Sequence, residues 1–320
     1  MGDSTISNIM QPSSNICRTT VDNVAQDIEQ ELLQSRKFLF QENSSLSRVK
    51  SFAVDLALVG LSIRAGHLVD AFCPKDPCRG FSTLLHRLKL KSKLFQDVVH
   101  VYEPCSEQSF LINTSVLLAK YTIEDISGGM SNWPPTSAYP VFVSTGSPPD
   151  ILSTPTEGLF ALVQNLIQQL QDPSPVLKEK STIILPQGLF ANLTVPFAAV
   201  LLEYPVAYCP SETVVSPFLS SATLDIYEVR LTLPDQGDVT SGRRKAWPFV
   251  NDEDRHYRSV LKFSCPSDLG RSCPKLNPQS IQESLQSCFV SRIANSLLLM
   301  LSTHTISVHH TIETLDRVAL

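Results

Sequence analysis

Asp55 is the first residue that invites a chemical reading, because it sits inside an apolar run. Ser51 to Val59 is almost continuously apolar and is bounded by Lys50 and Gly60. A buried carboxylate is costly unless it is paired or hydrogen-bonded. Two readings stand for it. The simpler is an acid held by a neighbouring loop or paired with Arg64. The other is a catalytic or metal-binding acid at the carboxyl edge of a sheet, where α/β proteins bind ligands. A second candidate is the loop Thr145-Gly146-Ser147, which follows a strand pattern and precedes a helix pattern, so its backbone amides could hold an anion. No Lys or Arg lies in it, and Pro148 and Pro149 fix its path, so a plain connection is the simpler reading. The third is the pair Cys73 and Cys78. Their four intervening residues fall within zinc spacing. A site needs two more ligands, from His86 or from Cys265 and Cys273; a stray pair in a loop is the simpler reading.

Other chemistries lack their residues. A nucleophile elbow needs Gly-x-Ser-x-Gly, and Gly129-Met130-Ser131 keeps only the first half. Gly60 and Gly66 are one residue too far apart for a Walker loop, with His67 where Lys should stand, and no Gly-x-Gly-x-x-Gly occurs. His309 and His310 are adjacent on a strand pattern and must face opposite ways. Asp252-Glu253-Asp254 lacks the glycine and spacing of a calcium loop. Lys89, Lys91 and Lys93 read as a helix end or linker. Arg243-Arg244-Lys245, beside Trp247, offers a localisation or partner signal, but three charges fall short of the usual patch of about 5–8 residues and a solvated loop is the simpler reading.

These candidates must be positioned by an alternation of strands and helices. Strand patterns fall at Ser51–Val59, Asp97–Tyr102, Tyr139–Ser144, Ser181–Leu185 and Pro205–Cys209. Helical spacing runs from Val21 to Leu32, over Phe81–Leu90 and Asn113–Tyr121, and over Pro155–Gln171 with Thr154 as N-cap and Glu157 completing a capping box. Asn113 and Asn192, each also the start of a sequon, suit helix caps. Ala222–Leu233 and Tyr257–Cys265 read as an antiparallel pair, flanking an excursion at 234–255. A helix from Pro278, capped by Asn277, buries Ile281, Leu285, Cys288, Phe289, Ile293, Leu297 and Met300. Thr305 to Ile312 alternates as a closing strand. The expectation is an α/β fold: a three-layer, mixed and mostly parallel sheet flanked by helices, with antiparallel strands in the C-terminal third. Residues 1–18 read as a disordered tail, 19–45 as an N-terminal helix and linker, and 46–320 as a single domain.

Composition bounds the function. Hydrophobic residues make up 42% and charged residues 18% of the 320, enough apolar side chain for a sizeable core. The formal charge of −5 excludes a globally basic nucleic-acid binder. Met1-Gly2-Asp3-Ser4-Thr5-Ile6 has neither the basic nor the apolar region of a secretory signal. No apolar run approaches the ~18 residues of a membrane span. The expected setting is cytoplasmic or nuclear and not secreted, with the eight cysteines reduced.

Glu203-Tyr204-Pro205-Val206-Ala207-Tyr208 and Leu224-Asp225-Ile226-Tyr227-Glu228-Val229-Arg230-Leu231 resemble segments of the chromosome 1 open reading frame 74 family. Ser259-Val260-Leu261-Lys262-Phe263-Ser264-Cys265-Pro266 and the tail Glu313 to Leu320 are similar in the same order, and Phe110-Leu111-Ile112-Asn113 is the best match upstream. The resemblance spans about the last 120 residues and implies no activity, cofactor or site residue. Function is therefore expected from what the sequence lacks: a non-enzymatic binding or scaffold protein, with no cofactor, no membrane and a protein or small molecule as partner. The alternative is an enzyme of unidentified type, with its site near Asp55 and the Ser144–Ser147 loop.

Overall fold

Caps and turn residues delimit the elements. The computed structural model describes residues 21–35, 39, 45–121, 140–146, 148–171, 181–210, 222–232, 257–296 and 304–314. The expected tail at 1–18 and the excursion at 234–255 lie outside them. The helices are α1 (Val21–Gln34), α2 (Leu46–Gly60), α3 (Pro77–Lys91), α4 (Thr114–Lys120), α5 (Leu159–Gln171), α6 (Ala191–Leu201) and α7 (Pro278–Asn295). The strands are β1 (Gly66–Leu68), β2 (Val98–Glu103), β3 (Gln108–Asn113), β4 (Val141–Ser144), β5 (Thr182–Ile184), β6 (Val206–Cys209), β7 (Thr223–Thr232), β8 (Tyr257–Pro266) and β9 (Thr305–Thr314).

The fold is α/β, with helices on mixed sheets and an antiparallel C-terminal third. Among the described residues the strands form three small sheets, ordered β1-β3-β2-β5, β4-β6 and β8-β7-β9. Parallel pairing is confined to β2–β5 and β4–β6 and is therefore the minority, contrary to the mostly parallel expectation. The reason lies in two strands, β1 and β3, that the sequence pattern does not mark. β1 and β3 pair antiparallel, as do β3 and β2 across a tight turn. Alternate residues of β2 and β3 serve two different cores: Val98 and Leu111 join the cluster of α1, α2, α3 and the C-terminal sheet, whereas Val101, Phe110 and Ile112 join that of α4, α5 and α6. β4 and β6 divide likewise, with Val143, Val206 and Tyr208 on one side and Phe142, Ala207 and Cys209 on the other. Apolar side chains alternating between two helix-covered faces make three layers.

The largest departure from the expected elements is Ser51–Val59, which is the body of α2 and not a strand. Ser45 caps it by accepting the Arg48 amide. Val49, Phe52, Ala53, Leu56, Val59 and Gly60 are buried at helical spacing. Ala57 and Leu58 are buried as well, and they fill the gap that would have revealed the period. α2 starts at Leu46. Similarly, α5 starts at Leu159 and not at Pro155, because Gly158 takes φ +84° and breaks any helical path from Thr154. The N-cap of α6 is Phe190, so Asn192 is not a cap, whereas Asn113 does cap α4 by accepting the Val116 amide. On α7, Asn277 caps as expected and Ile281, Leu285 and Phe289 are buried. Cys288 is exposed, and Leu297 and Met300 lie outside the described residues.

Gly66 shows how tightly β1 is fitted. A Cβ there would stand 2.7 Å from the Leu201 carbonyl oxygen at the end of α6 and 3.2 Å from Ile112 Cγ2. Backbone cannot yield as a side-chain tip does. Gly66→Ala is therefore expected to destabilise the fold by about 1–3 kcal/mol. A urea midpoint matching that of the parent would show that β1 does not lie against α6.

Candidate functional site

The residue singled out in the sequence does face a cavity, but from a helix. One face of α2, made by Leu46, Ser47, Lys50, Ser51, Val54 and Asp55, forms one wall of a cavity of about 890 Å³. Those positions recur at one, three and four residues, which is the spacing of a single helical face.

The second wall follows from how α2 ends. Leu61 donates its amide to the Ala57 carbonyl at 2.9 Å, Ser62 takes φ +60°, and the amides of Ile63 and Arg64 both reach the Leu58 carbonyl, at 3.0 and 3.1 Å. The chain thus folds back along the helix it has just left. Asn113 Nδ2 secures the reversal, donating to the Val59 carbonyl at 2.9 Å and to Ser62 Oγ at 3.1 Å. As a result Arg64 Nη1 donates to Asp55 Oδ1 at 2.8 Å across nine positions of sequence. β1 then brings His67 and Leu68 to the cavity, and Asp70 follows.

Leu202 and Tyr204 complete a third wall after α6, where Glu203 takes φ +57°. Arg292 Nη2 holds Glu203 at 2.7 Å, and its Nη1 donates to the Ile63 carbonyl at 3.2 Å, tying this turn to the one that carries Arg64. The fourth wall is Arg258 to Lys262 of β8.

The electrostatics of this site are unusual. Burial pushes the Asp55 carboxyl up to about 6; Arg64 pulls it down but less strongly, and Asp70 adds a like charge. Burial, then Arg64, pushes the His67 imidazolium down to about 3, which leaves a neutral ring at physiological pH. His67 Nδ1 is 3.9 Å from Asp55 Oδ1, and its buried Nε2 has no hydrogen-bond partner. Burial also pushes the Tyr204 phenol up, with Arg64, Asp70 and Asp55 close enough to modulate it. Arg64 spends one of its five donors on Asp55, and its side chain keeps 12% exposure. Lys50, Arg64, Arg258 and Lys262 line this partly apolar cavity together with Asp55 and Asp70. Asp22 of α1 also holds Arg258, at 3.3 Å.

The other candidates lie elsewhere. Ser144, Thr145 and Gly146 are not among the residues lining this cavity, so the structure does not bring that loop to Asp55. The loop closes on itself: the Ser144 amide donates to the Asp150 carbonyl and Ser144 Oγ accepts the Asp150 amide. Thr145 is buried, with its amide on the Cys209 carbonyl at 3.3 Å and its Oγ1 without a partner; Ser147 lies outside the described residues. With α5 starting at Leu159, the loop does not open a helix and loses the geometry that suggested anion binding.

Cys73 is exposed and Cys78 sits in the first turn of α3, where burial and then Asp76 push its thiol up. No group of three or more His, Cys, Asp or Glu among the described residues could hold a metal ion. Lys89 reaches Ser181 and Lys91 pairs with buried Glu31, so these two lysines brace the fold. Residues 243–245 lie outside the described residues. Sequence reasoning missed His67, Asp70, Tyr204 and β8 as parts of one site. The only available signal was the polar stripe Ser47, Lys50, Ser51 and Asp55 at helical spacing.

The chain matches no protein-family model, no curated protein and no solved structure. No helix among the described residues is long and apolar enough to cross a membrane.

Proposed function

We propose that this chain is a binding protein whose cavity between α2, β1 and β8 takes an acidic organic ligand, with Arg64 as its anchor. One observation carries the reading. A mostly buried arginine lines a cavity, and its carboxylate partner among the described residues sits where its charge is disfavoured. A ligand carboxylate or phosphate can accept from Arg64 in a bidentate manner, which Asp55 does not do. The unpartnered His67 Nε2 offers a second polar contact, and Leu46, Val54, Leu68, Val260 and Leu261 supply apolar surface.

The test is thermal unfolding of the purified protein against a panel of mono- and dicarboxylic acids, phosphate monoesters and acidic peptides. A ligand at ~100 times its dissociation constant adds about 2.7 kcal/mol, visible as a rise of several degrees in Tm. The rise is expected with acids, not with their amides, and is expected to vanish in Arg64→Gln. A panel without any shift would sink the proposal.

A second reading, an enzyme, draws on one observation. A carboxyl near 6 beside a neutral imidazole suits proton transfer near physiological pH. It makes a distinct prediction: a ligand found in the panel would be chemically altered by the parent and left intact by Asp55→Asn. Membership of the chromosome 1 open reading frame 74 family and a cytoplasmic or nuclear setting belong to the same proposal. Neither adds a residue to the site.

A further inference from the structure

The β8 wall says more about the ligand. Five consecutive residues, Arg258 to Lys262, line the cavity. Side chains of a strand alternate between its two faces, so a wall of consecutive residues is the strand's edge, backbone included. β8 is the outer strand in the order β8-β7-β9. Its inner edge pairs with β7, Arg230 facing Ser259 and Val229 facing Leu261, so that Val260 is bulged between them. Beyond that ladder, no backbone hydrogen bond engages Ser259, Val260, Leu261 or Lys262 among the described residues. Among the described residues no element covers this edge, which makes it a template for another strand, and the Val260 bulge with the charges of Arg258 and Lys262 restricts which strands can pair there. Here it lines a cavity that the face of α2 also lines, and Arg64 supplies a charge-assisted anchor there. Five extended residues span about 16 Å, so a segment of similar length can run along the lined stretch.

We infer, resting on the binding reading above, that the ligand is an extended peptide segment that pairs with the outer edge of β8 and places an acidic side chain on Arg64. Main-chain hydrogen bonds then supply affinity, and the pocket at alternate side chains supplies selectivity. Arg64 and Lys262 on the cavity wall favour an acidic segment over a basic one.

The test uses the full chain, immobilised, and two pools of capped heptapeptides with proline omitted. One pool has glutamate and the other glutamine fixed at the centre. Enrichment is expected from the glutamate pool alone, and Arg64→Gln is expected to weaken the selected peptides at least tenfold. Each selected peptide is then remade with single N-methyl groups walked along its backbone. Strand pairing uses every second amide, so affinity is expected to drop at least tenfold at alternate positions and to change little between them. Hydrogen exchange is expected to slow within residues 258–262 when peptide binds. Peptides that bind with uniform tolerance of N-methylation would overturn strand pairing and leave the binding reading intact. No enriched peptide, with small acids still raising Tm, would overturn the peptide and keep the pocket. Failure of both peptides and small acids removes both proposals.

Discussion

Phe52→Ala is expected to destabilise the fold by about 3–5 kcal/mol, the cost of removing a phenyl ring from a closed core. Phe52 is fully buried on α2 and sits at the centre of an aromatic group. Its ring centroid is 5.0 Å from that of Phe72 in an edge-on arrangement, 6.1 Å from Phe81 and 5.9 Å from His67. Phe81 in turn lies 4.7 Å from His100. The residual cavity cannot collapse easily, because α2 is held from one side by α1 and from the other by β1 and β3. Urea unfolding followed by far-ultraviolet circular dichroism would show a lower midpoint with an unchanged slope. Phe52→Leu, which keeps most of the volume, is expected to lose much less. The ring also backs the imidazole that faces the ligand cavity, so the alanine variant should bind any ligand of Arg64 more weakly even under conditions where it stays folded. A loss below about 1 kcal/mol would mean that α2 does not pack this face inward.

Asp55→Asn carries the opposite sign. The folded-state pKa of Asp55, about 6, lies above its ordinary value of 3.8. The native protein therefore binds more protons than the unfolded chain between those values, and stability falls as pH rises through that window. Asparagine keeps an oxygen for Arg64 and has no charge to bury. The variant is expected to be more stable than the parent by about 1–2 kcal/mol at pH 5 and by about 3 kcal/mol at pH 8, from 1.36 kcal/mol per pKa unit. The groups facing Asp55 are Arg64, His67, Asp70 and Tyr204. His67, depressed to about 3, loses stability as pH falls below its ordinary value of 6.5, but it does so in both proteins, so the difference between them isolates Asp55. Urea titrations of both proteins at several pH values measure this. An Asp55→Asn protein less stable than its parent at pH 8 would make Asp55–Arg64 a net stabilising ion pair and Asp55 a structural residue. A carboxylate whose charge weakens the fold at neutral pH fits a group kept for its ligand.

Which parts of this site were legible in the sequence depended on the range of the interaction that decides each one. Asp55 stood out because a charge within an apolar run needs a partner, and Arg64 was among the partners it suggested. That pairing was accessible because both lie within one helix and its return turn. The helix itself has the sequence pattern of a buried strand. α2 is buried by α1, by the sheet and at its own end, so its apolar residues run continuously over Leu56–Val59 and the period disappears. The antiparallel pair β7–β8 and the capped helix α7 were readable, because alternation, a Pro at the first turn and an Asn cap are local signals. β1 and β3 were not, being short strands whose existence depends on pairing with each other and with β2.

The sequence by itself determined the α/β class, most element positions, the absence of common catalytic signatures and the importance of Asp55. Those follow from periodicity, turn chemistry and the cost of a buried charge, which act within a few residues. Only the tertiary structure decided that Asp55 faces a cavity from a helix, that the Thr145–Gly146 loop is not part of it, and that His67, Tyr204 and the edge of β8 are. These residues are up to about two hundred positions apart, and nothing local marks them as neighbours. Their meeting comes from how helices and sheet edges pack, and that is set by the summed burial of two cores and by no single motif.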